Sequence, residues 1–149
     1  MLQLTEQCVI LELKAITKEG ILLELASAVH EKYPQISVKT MTTILSEREQ
    51  IGSTGVGDGV AIPHGKIPGL DRLLLCFGRS STGVGFDAVD TRPVHLLVMI
   101  LSPVHLASDY LQTLAKVSRL LKNSDIRNKL LQADKAQAIV EIFNQQIGS

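Results

Sequence analysis

His64 is the residue of this chain best placed for chemistry. It lies at the end of the run Gly52-Ser-Thr-Gly-Val-Gly-Asp-Gly-Val-Ala-Ile-Pro-His-Gly65, a glycine-dense loop followed by a short apolar stretch. Pro63 has no N–H and biases Ile62 toward extended backbone, while Gly65 lets the chain turn away and leaves the backbone beside the imidazole unobstructed. An imidazole aimed out of such a loop can meet another protein. The glycines at 52, 55, 57 and 59 allow successive N–H groups to curl into a nest that would hold an anion, which points to phosphoryl chemistry on the histidine itself. The same residues also fit a plainer reading: a glycine-rich turn entering a core strand, with a structural histidine at its end.

Other chemistries fail on spacing. A dinucleotide fingerprint needs Gly-x-Gly-x-x-Gly, and after Gly55 and Gly57 the third position is Val60. A P-loop needs four residues before Gly-Lys-Ser/Thr, but Lys66 is followed by Ile67 and the interval from Gly59 is wrong. His30, His64, His95 and His105 form no His-x-x-x-His or Cys/His cluster, so a zinc site would have to be assembled entirely in three dimensions. No Gly-x-Ser-x-Gly elbow is present. No cofactor or metal ion is therefore expected.

Residues 49 to 65, Glu-Gln-Ile-Gly-Ser-Thr-Gly-Val-Gly-Asp-Gly-Val-Ala-Ile-Pro-His-Gly, resemble the active-site signature of the fructose/mannitol-type enzyme IIA components of the bacterial phosphoenolpyruvate-dependent sugar phosphotransferase system, a signature shared by the nitrogen-regulatory IIA proteins. The likeness continues through Phe86-Asp-Ala-Val-Asp-Thr-Arg-Pro-Val-His-Leu-Leu and Leu111-Gln-Thr-Leu-Ala, and so covers nearly the whole chain. It implies a phosphocarrier in which His64 accepts a phosphoryl group from the carrier HPr. The group would then pass to a IIB component, or the protein would signal to a regulatory target by its phosphorylation state. An interaction domain that keeps the fold and is never phosphorylated is the alternative.

The implied mechanism makes demands on the neighbours of His64. A neutral imidazole nitrogen attacks phosphorus in line, and the equatorial oxygens of the transition state must meet positive charge or N–H donors. The resemblance places an arginine matching Arg48 beside the active histidine, and a forked guanidinium suits phosphate oxygens; the plainer reading is an exposed charge within Glu47-Arg48-Glu49. Ser53 and Thr54 could donate hydroxyl hydrogen bonds or merely shape the turn, and Gly55 and Gly65 complete the candidate phosphate-binding set with Tyr110. Many family members carry a second histidine at the position of Tyr110, before Leu-Gln-x-Leu. A tyrosine can donate to phosphate but cannot become a cation at neutral pH. Lys66 reads as a docking charge or a solvated flank, His95 as structural within a strand, and His30 as a surface or capping residue. Asp87 and Asp90 read as organisers of a turn.

These residues require a scaffold, and the periodicity supplies an alternating one. Cys8 to Leu13 reads as a strand, and Thr17 as the N-cap of a helix with an apolar face at Leu22, Leu25, Ala26 and Val29. Tyr33-Pro34 closes that helix. A second runs from Ser37 to about Glu49 and carries Arg48 at its end. Val60 to Pro63, Leu73 to Phe77 and Val94 to Leu101 read as strands, the last a nearly continuous apolar run suited to a central position covered on both faces. Leu111, Leu114, Val117, Leu120 and Leu121 mark a helix, followed by a short one at Ile126 to Leu131 and a last one from Asp134 to Gln146, with Asp134 and Gln137 spaced as a capping box. The expected fold is a single α/β domain, a mixed sheet sandwiched between helices.

The bulk properties agree. A chain of 149 residues suits one domain over residues 1–149. Fifteen basic and fifteen acidic residues cancel, which disfavours bulk nucleic-acid binding. With only 3% aromatic residues, aliphatic side chains must fill the core. Cys8 and Cys76 have no metal or redox spacing and read as buried thiols. The start lacks a basic, apolar leader and no apolar run approaches the ~18 residues that suggest a membrane span, so a cytoplasmic protein without membrane insertion is expected. Gly148-Ser149 reads as a tail.

Overall fold

In the computed structural model, residues 4–147 are described; the expectations for the first residues and for Gly148-Ser149 lie outside them. After a 3-10 turn at Glu6–Cys8 come β1 (Val9–Ile10), α1 (Lys18–Lys32), α2 (Val38–Ile51), β2 (Gly55–Gly57), β3 (Val60–Ala61), β4 (His64–Lys66), β5 (Leu74–Val84), β6 (Val94–Ser102), α3 (Ala107–Lys122), α4 (Ser124–Gln132) and α5 (Ala136–Ile147).

The sheet is mixed, in the order β1-β5-β6-β3-β2, with β4 also on β6. Strand β6 is central, as its apolar run predicts: every residue in it is buried except the half-buried His95. It runs antiparallel to β5, and its other edge takes β3 and then β4 in parallel, with Val60 opposite Leu96 and His64 opposite Ile100. Adjacent residues of a strand point to opposite faces, and β5 shows what covers each face. The Cys76 thiol meets the Leu25 carbonyl of α1 at 3.8 Å, while the Phe77 ring packs edge-on against Phe143 of α5, centroids 5.7 Å apart. The pair α1 and α2 covers one face, and α5 with α3 and α4 the other. Both cysteines are free and buried, and burial pushes their thiols upward in pKa.

The helix signals hold at their starts. Thr17 accepts the Gly20 N–H at 3.1 Å and Ser37 the Thr40 N–H at 3.3 Å, each an N-cap satisfying an otherwise orphaned donor. The capping box at Asp134 and Gln137 does not form. Helix α5 begins at Ala136, and the Gln137 carboxamide donates forward to Glu141 at 3.3 Å.

Three strands differ from expectation. The Cys8 to Leu13 run keeps only two strand residues, because the turn at Glu6–Cys8 takes its start and the chain bends after Ile10. Strand β5 extends beyond Phe77 to Val84: pairing with β6 continues through Gly78 and Arg79, and after a register shift across polar, partly exposed residues it resumes at Val84. The Val60 to Pro63 strand stops at Ala61, and His64, expected to project from a loop, opens a strand of its own. Pro63 cannot donate to the ladder, but its carbonyl accepts from Ile100 N–H at 2.9 Å, so β6 remains paired across the break.

Gly65 sets the distance between this strand and α2. A Cβ there would lie 2.8 Å from Ile44 Cγ2, too close unless the Ile44 side chain or one of the two elements shifts. Gly65→Ala is expected to destabilise the fold by about 1–3 kcal/mol through overpacking, a fall of about 2–4 °C in Tm per kcal/mol for a domain of this size. Thermal unfolding followed by circular dichroism checks this; an unchanged Tm would mean that α2 tolerates displacement.

Candidate active site

His64 is half-buried at the start of β4, between the end of α2 and the side of α3. Its Nδ1 lies 2.7 Å from the Ile62 carbonyl, an acceptor only, so the proton of the neutral ring sits on Nδ1 and the lone pair on Nε2. Arg48 Nε donates to that Nε2 at 3.3 Å, and Arg48 Nη1 donates to the Gly52 carbonyl at 2.8 Å. The guanidinium therefore bridges the end of α2 and the imidazole. Burial is the main cause holding the His64 pKa below its ordinary value; the Ile62 carbonyl opposes it, the Arg48 charge adds to it, and Glu49 opposes it. A neutral ring with Nε2 free of a proton is what nucleophilic attack on phosphorus needs.

Tyr110, near the start of α3, stands edge-on to His64 with ring centroids 5.9 Å apart. It is buried, and burial raises its pKa to about 12 despite the opposing Arg48 charge, so the hydroxyl is protonated and neutral.

The other candidates have different employment. Ser53 Oγ donates to the Phe86 carbonyl at 2.5 Å and accepts the Gly55 N–H at 3.0 Å; Thr54 Oγ1 donates to the Glu49 carboxylate. Both residues line the cleft at His64, but their single hydroxyl protons are committed elsewhere in this state. A Cβ on Gly55 would lie 2.9 Å from the Ala88 backbone, so this glycine lets the hairpin approach the 86–90 loop. The anion nest read from the glycine run does not form: β2 and β3 make a hairpin through Asp58 and Gly59, both at positive φ, and Asp58 N–H donates to Asp90 Oδ2 at 3.0 Å. Asp90 is the turn organiser expected of it, since its Oδ1 also accepts Arg92 N–H at 3.1 Å. His95 is structural, with Nδ1 2.8 Å from the Ser80 carbonyl, and His30 Nδ1 meets the Ile36 carbonyl at 2.7 Å. His105 and Lys66 are exposed. Among the described residues no group of three or more His, Cys, Asp or Glu is arranged to hold a metal ion.

Sequence reading missed the far wall of the cleft. Leu114, Ala115 and Ser118 of α3 face His64 across it, with the exposed Val56 of β2 on the near side. Leu114 was legible only as core, and nothing in sequence marked Ser118. Leu111, one of the apolar positions that mark this helix in the sequence, is 67% exposed beside Tyr110.

Comparison with known proteins decides the family. The model of the family described as "Phosphoenolpyruvate-dependent sugar phosphotransferase system, EIIA 2" matches residues 2–146. The chain belongs to this family. As a type-2 EIIA chain it is a phosphotransfer component of that system, and its relatives include both nitrogen regulatory and sugar-specific proteins. It is 38% identical over 131 residues to a nitrogen regulatory protein of Bradyrhizobium diazoefficiens, covering 88% of this chain and 85% of that one. It is 41% identical over 103 residues to a fructose-specific EIIA component of Haloferax volcanii, covering 69% and 67%. Among solved structures, the nitrogen regulatory protein IIA-Ntr of Neisseria meningitidis superposes with a TM-score of 0.87 at 31% identity over 93% of this chain and 94% of that one. The mannitol enzyme IIA of Escherichia coli, in complex with phosphorylated enzyme IIB, shares the fold at a TM-score of 0.80 and 16% identity, over 97% and 99%. The fold read from sequence is thus that of the family. No helix of the described residues is long and apolar enough to cross a membrane.

Proposed function

We propose that this EIIA chain carries a phosphoryl group on Nε2 of His64, received from the phosphohistidine of an HPr-type carrier. The observation that carries the reading is the pairing of the two ring nitrogens: Nδ1 on the Ile62 carbonyl and Nε2 beside Arg48. The Nε2 lone pair forms the new N–P bond while the N–P bond to the donor breaks, its electron pair returning to the donor imidazole. Arg48 meets the charge on the phosphoryl oxygens, and Nδ1 keeps its proton against Ile62. Ser53 and Thr54 can join only by releasing their present acceptors.

Onward transfer reverses these steps toward a cysteine or histidine of a IIB component, or the phosphorylated state itself is read by a regulatory target. Exposed apolar residues at the site suit docking of such protein partners: Val56 lines the cleft, and Ile51 and Leu111 adjoin Gly52 and Tyr110 in the chain. The family and its relatives do not favour an interaction domain that is never phosphorylated. Incubation with phosphoenolpyruvate, enzyme I and HPr tests the proposal; a protein that takes up no phosphoryl group overturns it. A cytoplasmic location belongs to the same reading.

Tyr110 stands where the resemblance to the family implies a second histidine. If a second imidazole assists by charge, Tyr110→His is expected to speed transfer, more clearly below about pH 6.5, where an unperturbed imidazole becomes cationic. Tyr110→Phe isolates the hydroxyl, and slower transfer in it would show that tyrosine already donates to phosphate. Parental rates in both variants at every pH would remove position 110 from the mechanism. Melting curves separate either effect from loss of packing around the buried ring.

A further inference from the structure

The buried carboxylate of Glu49 is used by none of the chemistry above, yet it anchors the segment on which both nitrogens of His64 depend. Its side chain is only 5% exposed and is fully partnered. Lys18 Nζ of α1 lies 2.9 Å from Oε1, Thr54 N–H donates to Oε1 at 3.0 Å, and Thr54 Oγ1 donates to Oε2. Glu49 thereby ties the loop after α2 to α2 itself, and the Lys18 ammonium, which also sits 4.7 Å from the centre of the Phe86 ring, neutralises the carboxylate.

Two routes run from this loop to the imidazole. On one, the Thr54 carbonyl accepts Ile62 N–H at 3.1 Å, and the Ile62 carbonyl in turn takes the Nδ1 proton of His64 at 2.7 Å. On the other, the Gly52 carbonyl accepts Arg48 Nη1 at 2.8 Å, which aims Arg48 Nε at His64 Nε2. One route fixes which nitrogen carries the proton; the other fixes the cation beside the nitrogen that does not. The first begins at Thr54, which Glu49 holds directly, and the second at Gly52, two residues before it in the same loop.

We propose that Glu49, neutralised by Lys18, is a positioning residue: through Thr54 and the 52–54 loop it sets the tautomer of His64 and the aim of Arg48 without touching phosphate. The ion pair has a second consequence. An uncompensated buried carboxylate beside the site would repel a dianionic phosphoryl group, and Lys18 removes that repulsion at short range.

The test rests on the phosphocarrier reading for its rate arm alone. Glu49→Gln keeps the size, but its amide nitrogen cannot accept from Thr54 Oγ1, and Lys18 loses its counter-ion. Phosphorylation by phospho-HPr is expected to slow about tenfold in kcat with KM little changed, since the docking surface is untouched. In the unphosphorylated 15N-labelled full chain, the parent's His64 nitrogens should show Nδ1 protonated and Nε2 not, and in Glu49→Gln they are expected to move toward averaged shifts. Thr54→Val should shift them in the same direction and Thr54→Ser should restore them. That pair decides the matter if Glu49→Gln does not fold. Parental nitrogen shifts in Glu49→Gln and Thr54→Val, with only a lowered Tm, would make the network a plain structural ion pair and overturn the proposal. A parent that is never phosphorylated, but whose tautomer preference is lost in Glu49→Gln, would overturn the phosphocarrier reading while upholding the positioning role.

Discussion

Replacing His64 with alanine is expected to abolish phosphorylation. The parent, incubated with phosphoenolpyruvate, enzyme I and HPr, should gain one phosphoryl group that is labile in acid and stable in base, and the variant none. Among the described residues that line the cleft, His64 is the only histidine. His95 and His30 each have Nδ1 on a backbone carbonyl away from the cleft, and His105 is exposed on the loop before α3. Mass spectrometry of the intact protein and its peptides checks this. Full labelling of His64→Ala, or a phosphoryl group on His95 or His105 of the parent, would overturn the assignment.

The same histidine gives the reaction a pH signature. Burial favours the neutral ring and holds its pKa below the ordinary value, so the nucleophilic form persists to lower pH than in a free imidazole. The acid limb of the transfer rate should therefore lie below pH ~6.5, the ordinary imidazole value. Stability follows with a fixed sign. Below that pH the unfolded chain takes up a proton that the folded site resists, so this group lowers stability as pH falls and has no effect above it. His64→Ala should flatten the acid side of the stability profile as it removes the activity. Titration of the His64 ring protons by NMR measures the pKa on which both depend; a midpoint above 6.5 would contradict the burial argument.

The parts of this molecule legible in sequence are those whose signal is local. Val94 to Leu101 announces a central strand because a strand buried on both faces must be apolar at every step. Thr17 and Ser37 announce helix starts because an N-cap is satisfied within three residues. His64 stands out for the same reason, since Ile62, Pro63 and Gly65 constrain it directly. What escaped depends on distant partners. Glu49 looks like one charge in Glu47-Arg48-Glu49 until Lys18 of another helix meets it. The Ser53 hydroxyl reads as a phosphate donor until the Phe86 carbonyl, 33 residues away, takes its proton. The glycines suggested a nest, but the chain used their freedom for a hairpin whose exposed N–H goes to Asp90. The outer half of β5 was silent because register with β6, and not its own hydrophobicity, makes it a strand.

Arg48→Met should separate catalysis from stability. Methionine retains much of the side-chain bulk and removes the charge, so the Nε contact to His64 and the Nη1 bond to Gly52 both vanish. The second loss is structural and small: a cation at the C-terminus of a helix contributes about 0.3–1 kcal/mol. The first falls on the transition state, where the charge on the phosphoryl oxygens would face an apolar thioether. Transfer from phospho-HPr should slow tenfold or more, at about 1.4 kcal/mol of barrier per factor of ten. Arg48→Lys keeps a charge but lacks the planar fork that holds His64 and Gly52 together, and should fall between parent and Arg48→Met. Single-turnover transfer rates beside melting temperatures decide the point. A parental rate in Arg48→Met would leave the arginine as a helix-end cap, whereas a rate loss that disappears when variants are compared at equal stability would place its effect in the fold.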